Sequence, residues 1–221
     1  MLIYGILILT AFLTGAYACF FFRPYYFKLI LALLLLTFLN EVFIAPFLNS
    51  KFSIHWNVAY NVFSLIDMSV WLFIFYTINT AYKIRKFIVP VAAAIFIYTF
   101  VELFFLKGWD VLHSDSFRLY EIFIIILAII YLYKILKQEY YVIAFDPFFW
   151  MCAACLLYHS ILILTFTIRK NAAYWHFKNA ADVFFFLQIL ADTSYYLLLC
   201  CMFISGIYYS RWQKKKASCH K

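Results

Sequence analysis

The sequence predicts an all-α fold, an integral membrane bundle of seven transmembrane helices with its N-terminus outside and its C-terminus in the cytoplasm. Three observations carry that expectation. The 221 residues are 68% hydrophobic and 24% aromatic, but only 13% are charged, about half the usual quarter of a soluble domain. So little polar surface cannot wrap so large an apolar core. Seven apolar runs each approach or exceed the roughly 20 residues needed to cross a bilayer. Lysine and arginine, finally, concentrate in alternate loops, as they do on the cytoplasmic side of membrane proteins.

The first run, 2–22, lacks a basic start and is longer than the roughly 7–15 apolar residues of a signal-peptide core. Because "RPYYFK" follows it, it reads as a retained span. The second, 27–48, sets Thr37, Asn40 and Glu41 on one side. The third, 57–80, contains "SLIDMSVWL", with Asp67 in the middle of an otherwise apolar string. There Asn57, Asn61, Ser64, Asp67 and Trp71 recur at helical spacing and form one stripe. The fourth, 87–106, puts Tyr98 and Glu102 one turn apart. The fifth, 119–136, opens with Glu121 near the outer interface, where Glu102 also falls. The sixth, 147–168, aligns Cys152, Cys155 and His159. The seventh, 181–209, aligns Gln188, Asp192 and Tyr195. Residues 1–210 thus form one membrane domain, and 211–221, "RWQKKKASCHK", a basic cytoplasmic tail suited to anionic lipid.

With the N-terminus outside, twelve of the 18 basic residues face the cytoplasm. They are Arg23, Lys28, Lys83, Arg85, Lys86, Lys134, Lys137, Arg211, Lys214, Lys215, Lys216 and Lys221. The other six are Lys51, Lys107, Arg118, Arg169, Lys170 and Lys178. The net charge of +8 therefore reports topology rather than nucleic-acid binding. The outer loops "KGWDVLHSDSFR" and "RKNAAYWHFKNA" are too short to fold alone, so no soluble catalytic or DNA-binding module is expected. Trp56, Trp109 and Trp175 fall near outer boundaries and Trp150 and Trp212 near inner ones, as an aromatic belt does. Of six cysteines, all but Cys219 lie in or beside apolar runs, where a thiol behaves as a small hydrophobe.

Depth follows from a rise of about 1.5 Å per residue, which puts Asp67 and Asp192 roughly 15 Å inside the outer boundary, near the midplane. His159 lies about 14 Å deep, Glu41 about 10 Å, and Asn61, Glu102 and Glu121 about 4–7 Å. Ionisable groups at such depth mark binding or proton-handling sites. The expected site is an acidic cavity opening outward between spans two to seven, binding a small cationic or amphiphilic ligand. Its residues are Asn40, Glu41, Asn61, Asp67, Trp71, Glu102, His159, Gln188, Asp192 and Tyr195. No cofactor is expected. Cys152, Cys155 and His159 are the one candidate set for a soft metal, and structural thiols are the favoured account of it.

Three classes of function fit such a cavity. In "NVAYNVF" (Asn57 to Phe63), "LYEIF" (Leu119 to Phe123) and "DPFFWMCAACLLYHS" (Asp146 to Ser160), the chain resembles small uncharacterised bacterial seven-span membrane proteins often seen beside signalling genes. That resemblance implies a bacterial plasma membrane, a receptor or sensor module and a signalling partner; it implies no activity. Lysoplasmalogenase-type membrane hydrolases are similar in their midplane aspartates, and that likeness would make Asp67 and Asp192 the acid and base. Seven-span hydrolases of the ceramidase kind use several histidines, whereas His159 stands alone within a span. A small-solute transporter is the third class, because "ILADTSYYL" in span seven echoes "SLIDMSVWL" in span three, as a three-plus-one-plus-three repeat would require.

Overall fold

A computed structural model describes all residues except 1, 23, 53–54, 80–81, 112–113, 138–142, 176–179 and 219–221. Arg23, Lys178, Cys219 and Lys221 lie outside the described residues. Among the described residues the regular structure is helical, with no strand. In order come α1 (Leu2–Phe21), α2 (Tyr25–Leu39), α3 (Ala45–Phe52), α4 (Trp56–Ile78), α5 (Tyr82–Val101), α6 (Ser114–Leu136), α7 (Pro147–Trp175) and α8 (Ala180–Ser218). Six stretches are long and apolar enough to cross a bilayer: Tyr25–Ser50, Trp56–Ile78, Tyr82–Leu106, Asp115–Leu136, Pro147–Ile168 and Val183–Trp212. The seventh expected span is represented by the shorter apolar stretch Gly5–Phe21 of α1. α1 as a whole has 20 residues, about 30 Å at 1.5 Å per residue, which matches the thickness of a hydrocarbon core.

Two π turns interrupt the α-helical pattern. The first, Asn40–Ile44, joins α2 to α3, and in it the Ala45 N–H bonds the Asn40 carbonyl five residues back. Pro46 follows directly after Ala45. It carries no N–H, and its ring crowds the carbonyl four residues before it, which disfavours a regular α-turn there. The second, Glu102–Leu106, ends α5 with the Lys107 N–H on the Glu102 carbonyl at 2.8 Å. Gly108 then turns the chain at a φ of +80°, a left-handed value that costs glycine little.

The helices group into two compact units. One comprises Met1–Leu34 and Ile125–Lys221. Within it α8 packs along both α1 and α7. Glycines on α1 and α8 make notches for rings. A Cβ on Gly15 would meet the Phe203 ring at 2.7 Å, and one on Gly206 would meet the Phe27 ring at 2.7 Å. Phe27 and Phe203 themselves meet edge to face at 5.0 Å. Small residues that admit a neighbour this closely are how membrane helices associate without a hydrophobic driving force. Asp146 starts α7, its Oδ1 accepting the Phe148 N–H at 2.8 Å, with Pro147 at the first helical position, where no N–H is needed.

The second unit is Leu35–Ile124. Here α4 packs against α3 and α5, and Arg85 closes its C-terminal end. The Arg85 Nε donates to the Tyr76 and Asn79 carbonyls at 3.0 and 2.6 Å, and its Nη2 donates to the Thr77 carbonyl at 3.0 Å. The last carbonyls of a helix have no partner within it, and an arginine there also complements the helix dipole. In both units large apolar side chains face outward, Phe20 and Phe105 among them at 73% and 74% exposure. Such a surface suits lipid, and the helical backbone meets its own hydrogen-bonding needs there.

Candidate functional site

The polar stripe of α4 divides into two parts. Its N-terminal part holds the chain that follows α5. Asn57 Nδ2 donates to the Asp110 carbonyl at 2.7 Å, and Asn61 Nδ2 donates to the Trp109 and Val111 carbonyls at 2.8 and 3.0 Å. Asn61 is fully buried, and two loop carbonyls would lose their donor without it. Ser64 returns its hydroxyl to the Asn61 carbonyl within the helix. One turn deeper the stripe reaches Asp67, which is half-buried and accepts a hydrogen bond from the Tyr120 hydroxyl of α6 at 3.2 Å. Trp71 is buried below it, 6.4 Å from the Phe75 ring.

Glu41 lies in the first π turn and takes the Tyr60 hydroxyl on Oε2 at 2.9 Å. Asn40 beside it is buried, and its Nδ2 has no hydrogen-bond partner. Glu102 starts the second π turn. It and Glu121, both expected near the outer interface, are fully buried. Glu102 is matched by a dedicated set of donors. It pairs with the Lys107 ammonium and accepts the backbone N–H groups of Asp115 at 3.2 Å and Ser116 at 2.8 Å. Those N–H groups belong to the first turn of α6, which has no acceptors of its own and favours negative charge. Lys107 also pairs with Asp115 at 2.8 Å, and Arg118 approaches Asp115 at 3.5 Å. Burial works against the Lys107 charge, but Asp115 and Glu102 outweigh it and raise its pKa above the ordinary value.

The other expected residues belong to the first unit. Asp192 is buried on α8, and Gln188 one turn earlier donates its Nε2 to both carboxylate oxygens at 3.2 Å. Tyr195 completes that stripe, and its ring lies 4.5 Å from that of Tyr158 of α7, tilted by 30°. His159, almost fully buried, meets the Tyr158 ring at 5.3 Å. Cys152 and Cys155 are buried and form no disulfide. Among the described residues no group of three or more His, Cys, Asp or Glu is placed to hold a metal ion.

Sequence reasoning missed the tyrosines. Tyr60 and Tyr120 each hold an acid, yet in a chain with 19 tyrosines neither stands out. Their positions were the available signal, since Tyr60 sits between Asn57 and Asn61 and Tyr120 precedes Glu121. Compared with protein-family models, with curated proteins and with solved structures, the chain has no match. The chain is a helical, multi-pass membrane protein by its apolar spans, and any more specific activity has to be argued from its own residues.

Proposed function

We propose that this chain is a receptor or sensor module of the bacterial plasma membrane, with α1 as the first of seven spans, the N-terminus outside and the C-terminus in the cytoplasm. It binds a small cationic or amphiphilic ligand through carboxylates in the outer half and middle of its spans. The observation that carries the reading is how Asp67 and Asp192 are held. The first accepts from a tyrosine hydroxyl and the second from a glutamine amide. A tyrosine hydroxyl or glutamine amide orients a carboxylate, and a carboxylate set within a span suits exchange of a proton or a cation. Neither Trp56–Ile78 nor Val183–Ser210 contains a lysine or arginine. By contrast Glu102, with Lys107 and two backbone N–H groups, is a structural acid.

Native mass spectrometry of the full chain, gently extracted from membranes, tests the reading. The wild type is expected to retain a small cationic or amphiphilic molecule that Asp67→Asn and Asp192→Asn both lose while inserting normally. Retention of the same molecule by both variants would overturn it.

A further inference from the structure

The first π turn shows two separate shortages of hydrogen-bond partners. Asn40 has 4% exposure and a buried Nδ2 without an acceptor. The second shortage follows from the backbone. Ala45 has committed its N–H to the Asn40 carbonyl, and Pro46 has none. The Glu41 carbonyl is therefore left without a main-chain donor at either α or π spacing. Buried polar groups in a bilayer are expensive to leave unmet. An unmet Asn40 donor beside a Glu41 carbonyl that lacks its α- and π-spaced main-chain donors suits a group that both accepts and donates, which is the chemistry of a hydroxyl.

Two further features narrow the class of molecule. The Glu41 carboxylate, half-buried and held by Tyr60 at 2.9 Å, offers a negative group within the same turn. The next three residues, Val42, Phe43 and Ile44, are exposed and apolar, with Phe38 ringed against Phe43 at 6.2 Å. The turn is thus polar where it is buried and apolar where it meets lipid. We propose that it binds the head of a long-chain amino alcohol arriving from the bilayer. The hydroxyl accepts from Asn40 Nδ2 and donates to the Glu41 carbonyl, the ammonium pairs with the Glu41 carboxylate, and the chain lies along Val42 and Phe43. This inference rests on the ligand-binding reading above and moves the head-group contact from Asp67 to Glu41. A bound water has the same hydroxyl chemistry, so the test must separate the two.

The test uses the full chain in lipid nanodiscs and three probes: a long-chain 2-amino alcohol, the fatty alcohol of equal length, and a short-chain amino alcohol. The expected result is saturable binding of the first alone. Loss of one charge-assisted contact in Glu41→Gln should weaken it about tenfold or more. Asn40→Ala should weaken it less, as should Pro46→Ala, which restores a main-chain N–H. Tyr60→Phe preserves packing and serves where another variant fails to insert. Equal binding of the fatty alcohol, or no change in Glu41→Gln with normal insertion, would overturn the inference. If affinity is lost in Asp67→Asn and unchanged in Glu41→Gln, the ligand-binding reading stands and the π-turn site falls. If none of the three probes binds, the turn holds only water and the inference is likewise overturned.

Discussion

Replacing Glu102 with alanine removes the acceptor of two backbone N–H groups at the start of α6 and one partner of Lys107. The loss of a cap costs about 1 kcal/mol, and hydrogen bonds to a charged group are worth about 1.5–3 kcal/mol. Stranding a fully buried charge would cost about 3–5 kcal/mol, but that is an upper limit here. The Lys107 side chain is 26% exposed and keeps Asp115 at 2.8 Å. The expected destabilisation is therefore about 2–4 kcal/mol. Glu102→Gln keeps one acceptor oxygen and loses the charge, so about half that cost is expected. Reversible unfolding of the detergent-solubilised protein, followed by tryptophan fluorescence, measures both. A double-mutant cycle with Lys107→Met should return a coupling of about 1 kcal/mol or more. The sign with pH is also fixed. The Lys107 pKa is raised above its ordinary 10.5, so the stability it contributes is complete below that value and is lost as pH rises through the folded value. Costs below about 0.5 kcal/mol for the alanine variant, or a strictly additive cycle, would refute the reasoning.

Arg85→Ala leaves three carbonyls at the end of α4 without their donor, and about 1–3 kcal/mol of stability should be lost in the same unfolding assay. Lysine should restore only part of it, because one ammonium cannot reproduce the fork. Burial raises the Asp146 pKa above its ordinary 3.8, against the lowering effect of the Phe148 and Phe149 N–H groups. The stability it contributes is present below 3.8 and is lost as pH rises through the folded value. Asp146→Asn keeps a good cap and cannot ionise, so its melting temperature should gain on the wild type as pH rises from acid to neutral. Gly206→Ala presses a methyl group on the Phe27 ring and should cost about 1–3 kcal/mol by overpacking; an unchanged melting temperature would contradict the notch.

Much of the helical pattern was legible in the sequence, because hydropathy over about 20 residues reports directly on whether a segment suits lipid. The runs 57–80 and 147–168 anticipate the starts of α4 and α7 within a residue. Other ends were harder to place. Backbone hydrogen bonding carries α6 back to Ser114 and α7 on to Trp175, through polar residues where the apolar signal has already stopped. The π turns were not legible as such, since Pro46 follows one of them and no proline lies in the other. For the site, spacing correctly placed Gln188 beside Asp192 because a helix joins i and i+4 locally. It gave no notice that Glu102 is matched by Lys107, Asp115 and Ser116. Those partners come from the loop after α5 and the next helix, and loop geometry has no period to read.

The length of α8 has a mechanical meaning. Its 39 residues run unbroken from Ala180 to Ser218, about 58 Å at 1.5 Å per residue, nearly twice the ~30 Å of a hydrocarbon core. The same continuous rod carries Asp192 and the run Lys214, Lys215 and Lys216, with neither a π turn nor a proline between to act as a joint. An axial shift of α8 at Asp192 would carry its far end with it, and Ser205–Gly206 is the pair between them at which a helix can kink.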